Sequence, residues 1–220
     1  EICVLTRTKK DGVAVANYLS ENGVDIISSE TLLIQNSPKV CFIIDVLKEV
    51  EISTKLIDAV AVSKGPGSYT GLRIGVSTAK GLCFALDLPL IAIDTLQVLA
   101  SQLTITEGVI IPMIDARRME VYSAIYNSDY EKTREVQAEI LTENSFEEIA
   151  ETIHFVGDCS EKAKTVLTNS NFIFHEEIVY PSANEMSELS FKKFQDSNFE
   201  DVAYFEPYYL KDFMTTVSKK

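Results

Sequence analysis

Residues 57–94 read IDAVAVSKGPGSYTGLRIGVSTAKGLCFALDLPLIAID, and this stretch decides the fold class. Its opening segment, 57–62, is short, apolar and rich in β-branched residues, which is typical of a strand buried on both faces. A glycine-rich loop follows at 63–71, and apolar residues then recur at three- and four-residue steps over 72–86, as in an amphipathic helix. A second apolar run, 90–94, is another buried strand. Strand, helix and strand in this order predict a β-α-β crossover and an α/β fold.

The rest of the chain continues this alternation. Apolar spacing predicts an upstream helix over 39–50, and short apolar runs suggest strands at 3–6 and 12–15. Past a composition change at 103–108, the patterns predict further elements in this order: strands 109–115, 120–126 and 135–140, a helix capped by Ser145, strand 154–157, helix 160–167, strand 172–174 and a helix capped by Ser182. Thr95 is expected to cap a helix that runs to about Gln102. We therefore predict two similar α/β halves, residues 1–104 and 105–220.

Composition excludes several classes of protein. The 220 residues carry 20 basic and 33 acidic side chains, a net charge of −13, so autonomous binding to a nucleic acid is not expected. The two histidines, His154 and His175, cannot form an HExxH or HxxxH pair, and a metal site is not expected. None of the four cysteines lies in a CxxC pair, which indicates buried thiols in a reducing cytoplasm. The chain has no apolar run of the roughly 18 residues that a membrane span needs.

The loop at 63–71 leaves two interpretations open. A glycine-rich turn between a strand and a helix can cradle a phosphate, because its backbone N–H groups and the helix dipole attract anions, and Lys64 and Arg73 flank it. The loop matches neither GxxxxGK[ST] nor GxGxxG, because Gly71 comes one residue too late for the latter. The alternative is a tight turn that lets the following helix pack closely on the sheet.

The helix after the loop has a face of small residues. Gly71, Gly75 and Ala79 recur every four residues, although glycine within a helix costs about 1 kcal/mol relative to alanine. Such a face lets a second helix approach closely. The spacing does not say whether that helix belongs to the same domain or to another protein.

Three separated motifs resemble those of one known family. Residues 63–75, continuing through 79–82, resemble the signature of the bacterial TsaB (YeaZ) family. Residues 115–122, DARRMEVY, resemble its second motif, and residues 206–210, EPYYL, resemble its C-terminal motif. The family has an actin-like (ASKHA) architecture of two ribonuclease-H-like halves, and the resemblance implies that fold here.

The resemblance implies an accessory, non-catalytic subunit in the cytoplasm. TsaB-like proteins pair with the catalytic TsaD-type protein and with a TsaE-type ATPase, and the complex places a threonylcarbamoyl group on N6 of adenosine 37 in tRNAs that read ANN codons. The resemblance also implies that the chain contacts tRNA only through the complex and does not bind a membrane. When the partner is absent, two copies are expected to form a homodimer through the surface that otherwise binds the partner. The expected partner-binding residues lie on two helices: Val40, Ile43, Leu47, Gly71, Leu72, Gly75, Val76, Ala79, Leu82 and Cys83.

The motif residues carry further expectations. The loop motif comprises Gly65, Pro66, Gly67, Ser68, Thr70 and Arg73. In the second motif, Asp115, Arg117 and Glu120 are expected to form a solvated group of ion pairs around a hairpin turn, with Asp115 as the alternative ligand position. No cofactor is expected, although residual nucleotide binding is left open.

Two features of catalytic relatives are missing from this sequence. The first is an Asp- or Glu-Thr-Ser phosphate loop, and the second is a His-x-x-x-His metal pair, since no histidine precedes His154. Residues before Glu1 and within 7–38 are suspected to be missing. The alternative function is an ATP-dependent phosphotransferase or hydrolase of the ASKHA class. A peptidase role, historically attached to relatives, finds no set of nucleophile, base and orienting group.

Overall fold

The computed structural model describes residues 38–211, and the strands predicted at 3–6 and 12–15 lie outside the described residues. The described chain begins with helix α1 (Pro38–Glu49), followed by a short 3₁₀ turn, Thr54–Leu56. The predicted β-α-β unit is confirmed: strand β1, helix α2 and strand β2 follow one another, and the two strands are neighbours in a two-stranded sheet. The bounds are Val60–Gly65 for β1, Tyr69–Leu86 for α2 and Leu90–Asp94 for β2.

The described residues divide into two compact units. One contains 38–60 and 77–90, and the other contains 61–76 and 91–211, so that α2 contributes to both. The predicted division into halves at 104/105 stays a prediction. No helix between residues 38 and 211 is long and apolar enough to cross a membrane.

The second unit is built on a five-stranded mixed sheet with the strand order β5-β4-β3-β6-β7. The neighbouring pairs β3–β4 and β4–β5 are antiparallel, whereas β3–β6 and β6–β7 are parallel. Helices α3, α4 and α5 connect or follow the strands. The bounds are α3 Thr95–Ala100, β3 Val109–Asp115, β4 Glu120–Tyr126, β5 Lys132–Ile140, β6 Ile153–Gly157, α4 Ser160–Lys164, β7 Phe172–Phe174 and α5 Ala183–Gln195.

Apolar side chains cover both faces of this sheet. Ile110 and Ile111 are consecutive in β3 and belong to different core clusters, because side chains alternate between faces along a strand. Leu96 and Leu99 of α3 pack in the cluster of Ile110, while Phe155 packs in that of Ile111. Coverage of both faces explains why the central strands read as nearly continuous apolar runs.

The helix predicted to start at Ser145 is wrong. Residues 143–148 form turns, and Phe146 has a φ of +66°, which a right-handed helix does not allow. The Phe146 ring is buried and lies 5.6 Å from the ring of Phe155. Burial of this one aromatic ring in the core therefore outweighs the local helical pattern.

The predicted cap of α3 is also wrong. Asp94, the last residue of β2, caps the helix by accepting a hydrogen bond from the N–H of Leu96 at 3.0 Å. The helix ends at Ala100 rather than near Gln102, and α4 ends at Lys164 rather than at Leu167. Because Asp94 supplies the cap, the hydroxyl of Thr95 is available for other contacts.

We expect Gly157→Ala to destabilise the sheet strongly. Gly157 has a φ of +114°, and a Cβ at this position would lie 2.0 Å from the carbonyl oxygen of Met113 in the neighbouring strand. The loss in free energy of unfolding should be about 3 kcal/mol or more, measured by urea denaturation. Gly67→Ala is the matched control, since a Cβ at Gly67 meets nothing within 4 Å. Equal stability of the two variants would contradict this account of the β3–β6 pairing.

Candidate functional site

The glycine loop is held at Gly65, where the backbone leaves no room for a side chain. Gly65 has a φ of +115°, and a Cβ there would lie 2.8 Å from the carbonyl oxygen of Tyr208 and 3.0 Å from a methyl group of Leu72. The N–H of Tyr208 donates to the carbonyl of Lys64 at 2.8 Å. The end of β1 is therefore packed directly against the C-terminal motif and the first turns of α2.

The Thr95 hydroxyl ties the same loop to the end of β2. Its oxygen accepts a hydrogen bond from the N–H of Gly65 at 3.0 Å and lies 2.9 Å from the Ser63 hydroxyl. Ser68 caps α2, since its hydroxyl accepts from the N–H of Gly71. The N–H of Gly65 is thus engaged inside the protein, and Pro66 has no N–H to offer. These contacts favour the tight-turn interpretation over a phosphate cradle.

Aromatic stacking joins the start of α2 to the C-terminal motif. The rings of Tyr69 and Tyr209 stack with centroids 4.6 Å apart, and the guanidinium of Arg73 lies 5.7 Å from the centroid of the Tyr69 ring. Burial, with Tyr69 nearby, raises the pKa of Tyr209. The loop motif and the C-terminal motif, 140 residues apart in the chain, therefore form one structural element.

A second lysine lies near the loop. The ammonium group of Lys193 donates to the carbonyl of Ala92 at 2.8 Å. Burial, and then the positive charge of Lys64, lower the pKa of Lys193. Among the described residues, no three His, Cys, Asp or Glu side chains are grouped so that they could hold a metal ion.

The second motif contains ion pairs, but its carboxylates pair with Lys162 and Lys211 from elsewhere in the chain and not with Arg117, which was expected to take part. The ammonium group of Lys162 contacts the carboxylate of Asp115 and also donates to the carbonyls of Arg118 at 3.1 Å and Glu120 at 2.7 Å. The N–H of Asp115 in turn donates to the carboxylate of Asp158 at 2.8 Å. Lys162 therefore fastens both ends of the β3–β4 hairpin turn.

Lys211 connects the second motif with the C-terminal motif. Its ammonium group pairs with the carboxylate of Glu120 and lies 5.9 Å from the ring centroid of Tyr122. Since Tyr208 bonds to the loop and Lys211 to the hairpin, one short segment links all three motifs. The sequence shows the three motifs but not this connection.

Four of the predicted partner-binding residues are not on the surface. Val76, Ala79, Leu82 and Cys83 are buried inside the protein, so this face of α2 packs in the core and is not available to a partner. Burial also raises the pKa of the Cys83 thiol to about 11. On the same helix, Gly71 is exposed, and Leu72 and Gly75 are half-buried.

No second helix approaches Gly71 or Gly75 of α2 within the described residues. A Cβ at Gly75 would meet only a methyl group of Val62, at 3.9 Å, and one at Gly71 would meet only Ser68. Close packing against another helix of the described chain is thus not the reason for these glycines. The interpretation that they approach another protein stays a prediction.

Helix α1 exposes an apolar stripe that the sequence reading did not single out. Phe42, Val46 and Val50 follow at four-residue steps on and just after this helix and are 68%, 43% and 57% exposed. We call these three residues the α1 stripe. The predicted Ile43 and Leu47 are half-buried, and the side chain of Val40 lies outside the described residues. Phe84 of α2, in the same unit, is also exposed.

The two histidines contact each other. Nδ1 of His154 lies 3.0 Å from Nε2 of His175, whose Nδ1 is 3.3 Å from the carboxylate of Glu177. Burial, and then the charge of His175, lower the pKa of His154. Three of their four ring nitrogens thus contact the other histidine or a carboxylate, rather than a serine or cysteine nucleophile.

Thr95→Val should weaken the loop. The substitution keeps the shape of the side chain but leaves the buried N–H of Gly65 without its acceptor, which costs about 1–3 kcal/mol of unfolding free energy. Thr95→Ser keeps the hydroxyl and is the control. Urea denaturation of both variants checks this, and a Val variant as stable as the Ser variant would show that the hydroxyl does not hold the loop.

Comparison with known proteins gives a consistent set of relatives. The model of the family described as TsaD, tRNA N6-adenosine threonylcarbamoyltransferase, matches residues 40–213. The "tRNA threonylcarbamoyladenosine biosynthesis protein TsaB" of Escherichia coli is 29% identical over 76% of this chain and 77% of its own length. The protein of that name from Buchnera aphidicola subsp. Schizaphis graminum is 30% identical over 67% of this chain and 73% of its own.

A second TsaB protein and a solved structure are also similar to this chain. The TsaB protein of Bacillus subtilis is 42% identical, but over 80 residues, so the matched segment spans about a third of that protein (35%). The solved structure of YeaZ from Pseudomonas aeruginosa has a TM-score of 0.65 over 76% of this chain and 80% of its own, at 23% identity, and shows the actin-like, ribonuclease-H-like fold. The chain therefore belongs to the family whose model is named TsaD, and to the TsaB (YeaZ) proteins among its relatives.

Proposed function

We propose that this chain is an accessory, non-catalytic subunit of the complex that forms N6-threonylcarbamoyladenosine at position 37 of tRNAs reading ANN codons. In this proposal it binds a TsaD-type catalytic subunit, works with a TsaE-type ATPase and meets tRNA only inside the complex. The names of its relatives support the pathway. The observation that carries the partner-binding role is the exposed α1 stripe.

The α1 stripe is an unusual surface on this chain. Three large apolar side chains, Phe42, Val46 and Val50, share one side of a helix in a protein of net charge −13. Removing apolar surface from water is worth about 25 cal/mol per Å², so a partner that covers the stripe would gain substantially from it. Contiguous exposed apolar patches mark interaction sites more often than not. Phe84 is a further exposed apolar side chain in the same unit.

The non-catalytic role is supported by hydrogen bonds that the loop and the two histidines form within the protein. The N–H of Gly65 donates to the Thr95 hydroxyl, whereas a phosphate cradle needs backbone N–H groups that face the ligand. A ring nitrogen of His154 contacts one of His175, whereas a general base needs a nitrogen that faces a substrate.

Val46→Glu tests the interface. A carboxylate in the middle of the α1 stripe must lose its water when the partner covers it, so we expect the affinity for the TsaD-type protein of the same organism to fall at least tenfold. Because Val46 is largely exposed, folding should be nearly unaffected. Affinity is measured by calorimetry, and folding by thermal denaturation.

Ile140→Glu is the matched control, because Ile140 is an exposed apolar residue on the edge strand β5. We expect this variant to bind the TsaD-type protein as the wild type does. If the wild type fails to bind that protein, the proposed function is wrong. If both variants bind as the wild type does, the function stands and the α1 stripe is not the interface.

We further propose that the chain uses no nucleotide cofactor. The alternative, an ATP-dependent phosphotransferase or hydrolase, requires N–H groups of the loop to hold phosphates, and the N–H of Gly65 already donates to the Thr95 hydroxyl. Calorimetry with Mg-ATP should therefore give no heat of binding in the micromolar range. Micromolar binding with release of phosphate would overturn the accessory role.

A further inference from the structure

The tip of the β3–β4 hairpin combines strain with charge. Arg117 and Arg118 have φ values of +74° and +53°, in the left-handed region that glycine and asparagine tolerate and that costs other residues about 1–2 kcal/mol. Two consecutive arginines are therefore unfavourable at positions where the turn prefers glycine or asparagine. Residues that break a local rule without a packing benefit are concentrated at functional sites.

Neither guanidinium is engaged by the part of the chain that the structure describes. Both side chains are exposed, and among residues 38–211 neither forms an ion pair. The adjacent carboxylates of Asp115 and Glu120 are already paired with Lys162 and Lys211. The turn is fastened through backbone carbonyls and these lysines, so the two arginine side chains contribute nothing visible to its stability.

We propose that Arg117 and Arg118 contact phosphates of the tRNA backbone when the chain is part of the complex. The planar guanidinium donates two parallel hydrogen bonds to a phosphate, which makes arginine well suited to this contact. Two adjacent guanidiniums at the end of a hairpin can reach neighbouring phosphates of one strand. The inference rests on the proposed function.

The net charge of −13 decides when this contact forms. At long range the whole chain repels a polyanion, so two arginines cannot recruit RNA to the free protein. Once other subunits hold the tRNA nearby, the local positive charge of the tip acts at contact distance, where the remote negative charges are screened by salt. The free chain should therefore show no measurable tRNA binding at physiological salt.

The test replaces Arg117 and Arg118 by residues that tolerate positive φ values. The double variant Arg117→Asn with Arg118→Gly removes both charges and relieves the unfavourable φ values, so its thermal midpoint should be unchanged or raised. Its assembled complex with the TsaD-type protein should bind an unmodified tRNA transcript with adenosine 37 about tenfold more weakly at low salt. The slope of log Kd against log salt should fall by about 1.5, as expected for two lost phosphate contacts.

Two further variants separate charge from geometry. Arg117→Lys with Arg118→Lys keeps both charges and should retain most of the salt dependence. Lys164→Gln with Lys192→Gln removes two exposed positive charges from α4 and α5 and should leave tRNA affinity within about twofold of wild type.

Each result of these binding experiments either supports or overturns the proposed tRNA contact. Weaker tRNA binding by the Asn-Gly variant, with an intact complex and an unaffected Lys164/Lys192 control, supports the contact. Equal tRNA affinity of wild type and Asn-Gly variant overturns it and leaves the proposed function standing. Loss of complex assembly in the Asn-Gly variant would show that the tip faces an acidic protein surface instead of RNA. Failure of the wild-type chain to assemble would overturn both proposals.

Discussion

The close contact at Gly65 is the constraint on which the loop motif and the C-terminal motif of this chain depend. With no Cβ at this position, the end of β1 can lie against the carbonyl of Tyr208 and the side chain of Leu72, and its N–H can reach the Thr95 hydroxyl. A strand end, a helix start and the C-terminal segment thus meet at one backbone position. A single methyl group there would separate them, because proteins pack at the density of organic crystals.

Lys211 attaches the same C-terminal segment to the β3–β4 hairpin, because its ammonium group pairs with the carboxylate of Glu120. Lys162 of α4 also binds this hairpin, since its ammonium group donates to the carbonyl of Glu120. The hairpin is therefore held by lysines that come from elsewhere in the sequence. The side chains at its tip, Arg117 and Arg118, form no ion pair with any residue between 38 and 211.

Much of the fold follows from local patterns. The β-α-β unit and five later strands are predictable because buried strands such as Leu90–Asp94 are continuously apolar and end at turn residues. The helix at Ser145 failed because burial of Phe146 against Phe155, a contact between residues nine positions apart, outweighed the local pattern. The outer face of α2 was misread because an apolar stripe looks the same whether it faces the core or a partner, and Val76 and Cys83 face the core. Contacts such as Lys162 with Asp115, 47 residues apart, leave no local signal.

The α1 stripe and the net charge oppose each other in the free protein. Apolar side chains at Phe42, Val46 and Val50 favour the meeting of two copies, whereas the charge of −13 on each copy drives them apart. Added salt shortens the range of the repulsion, to about 10 Å at 0.1 M, and leaves the apolar attraction intact. Added salt therefore weakens the repulsion between two copies more than it weakens the attraction between their apolar stripes.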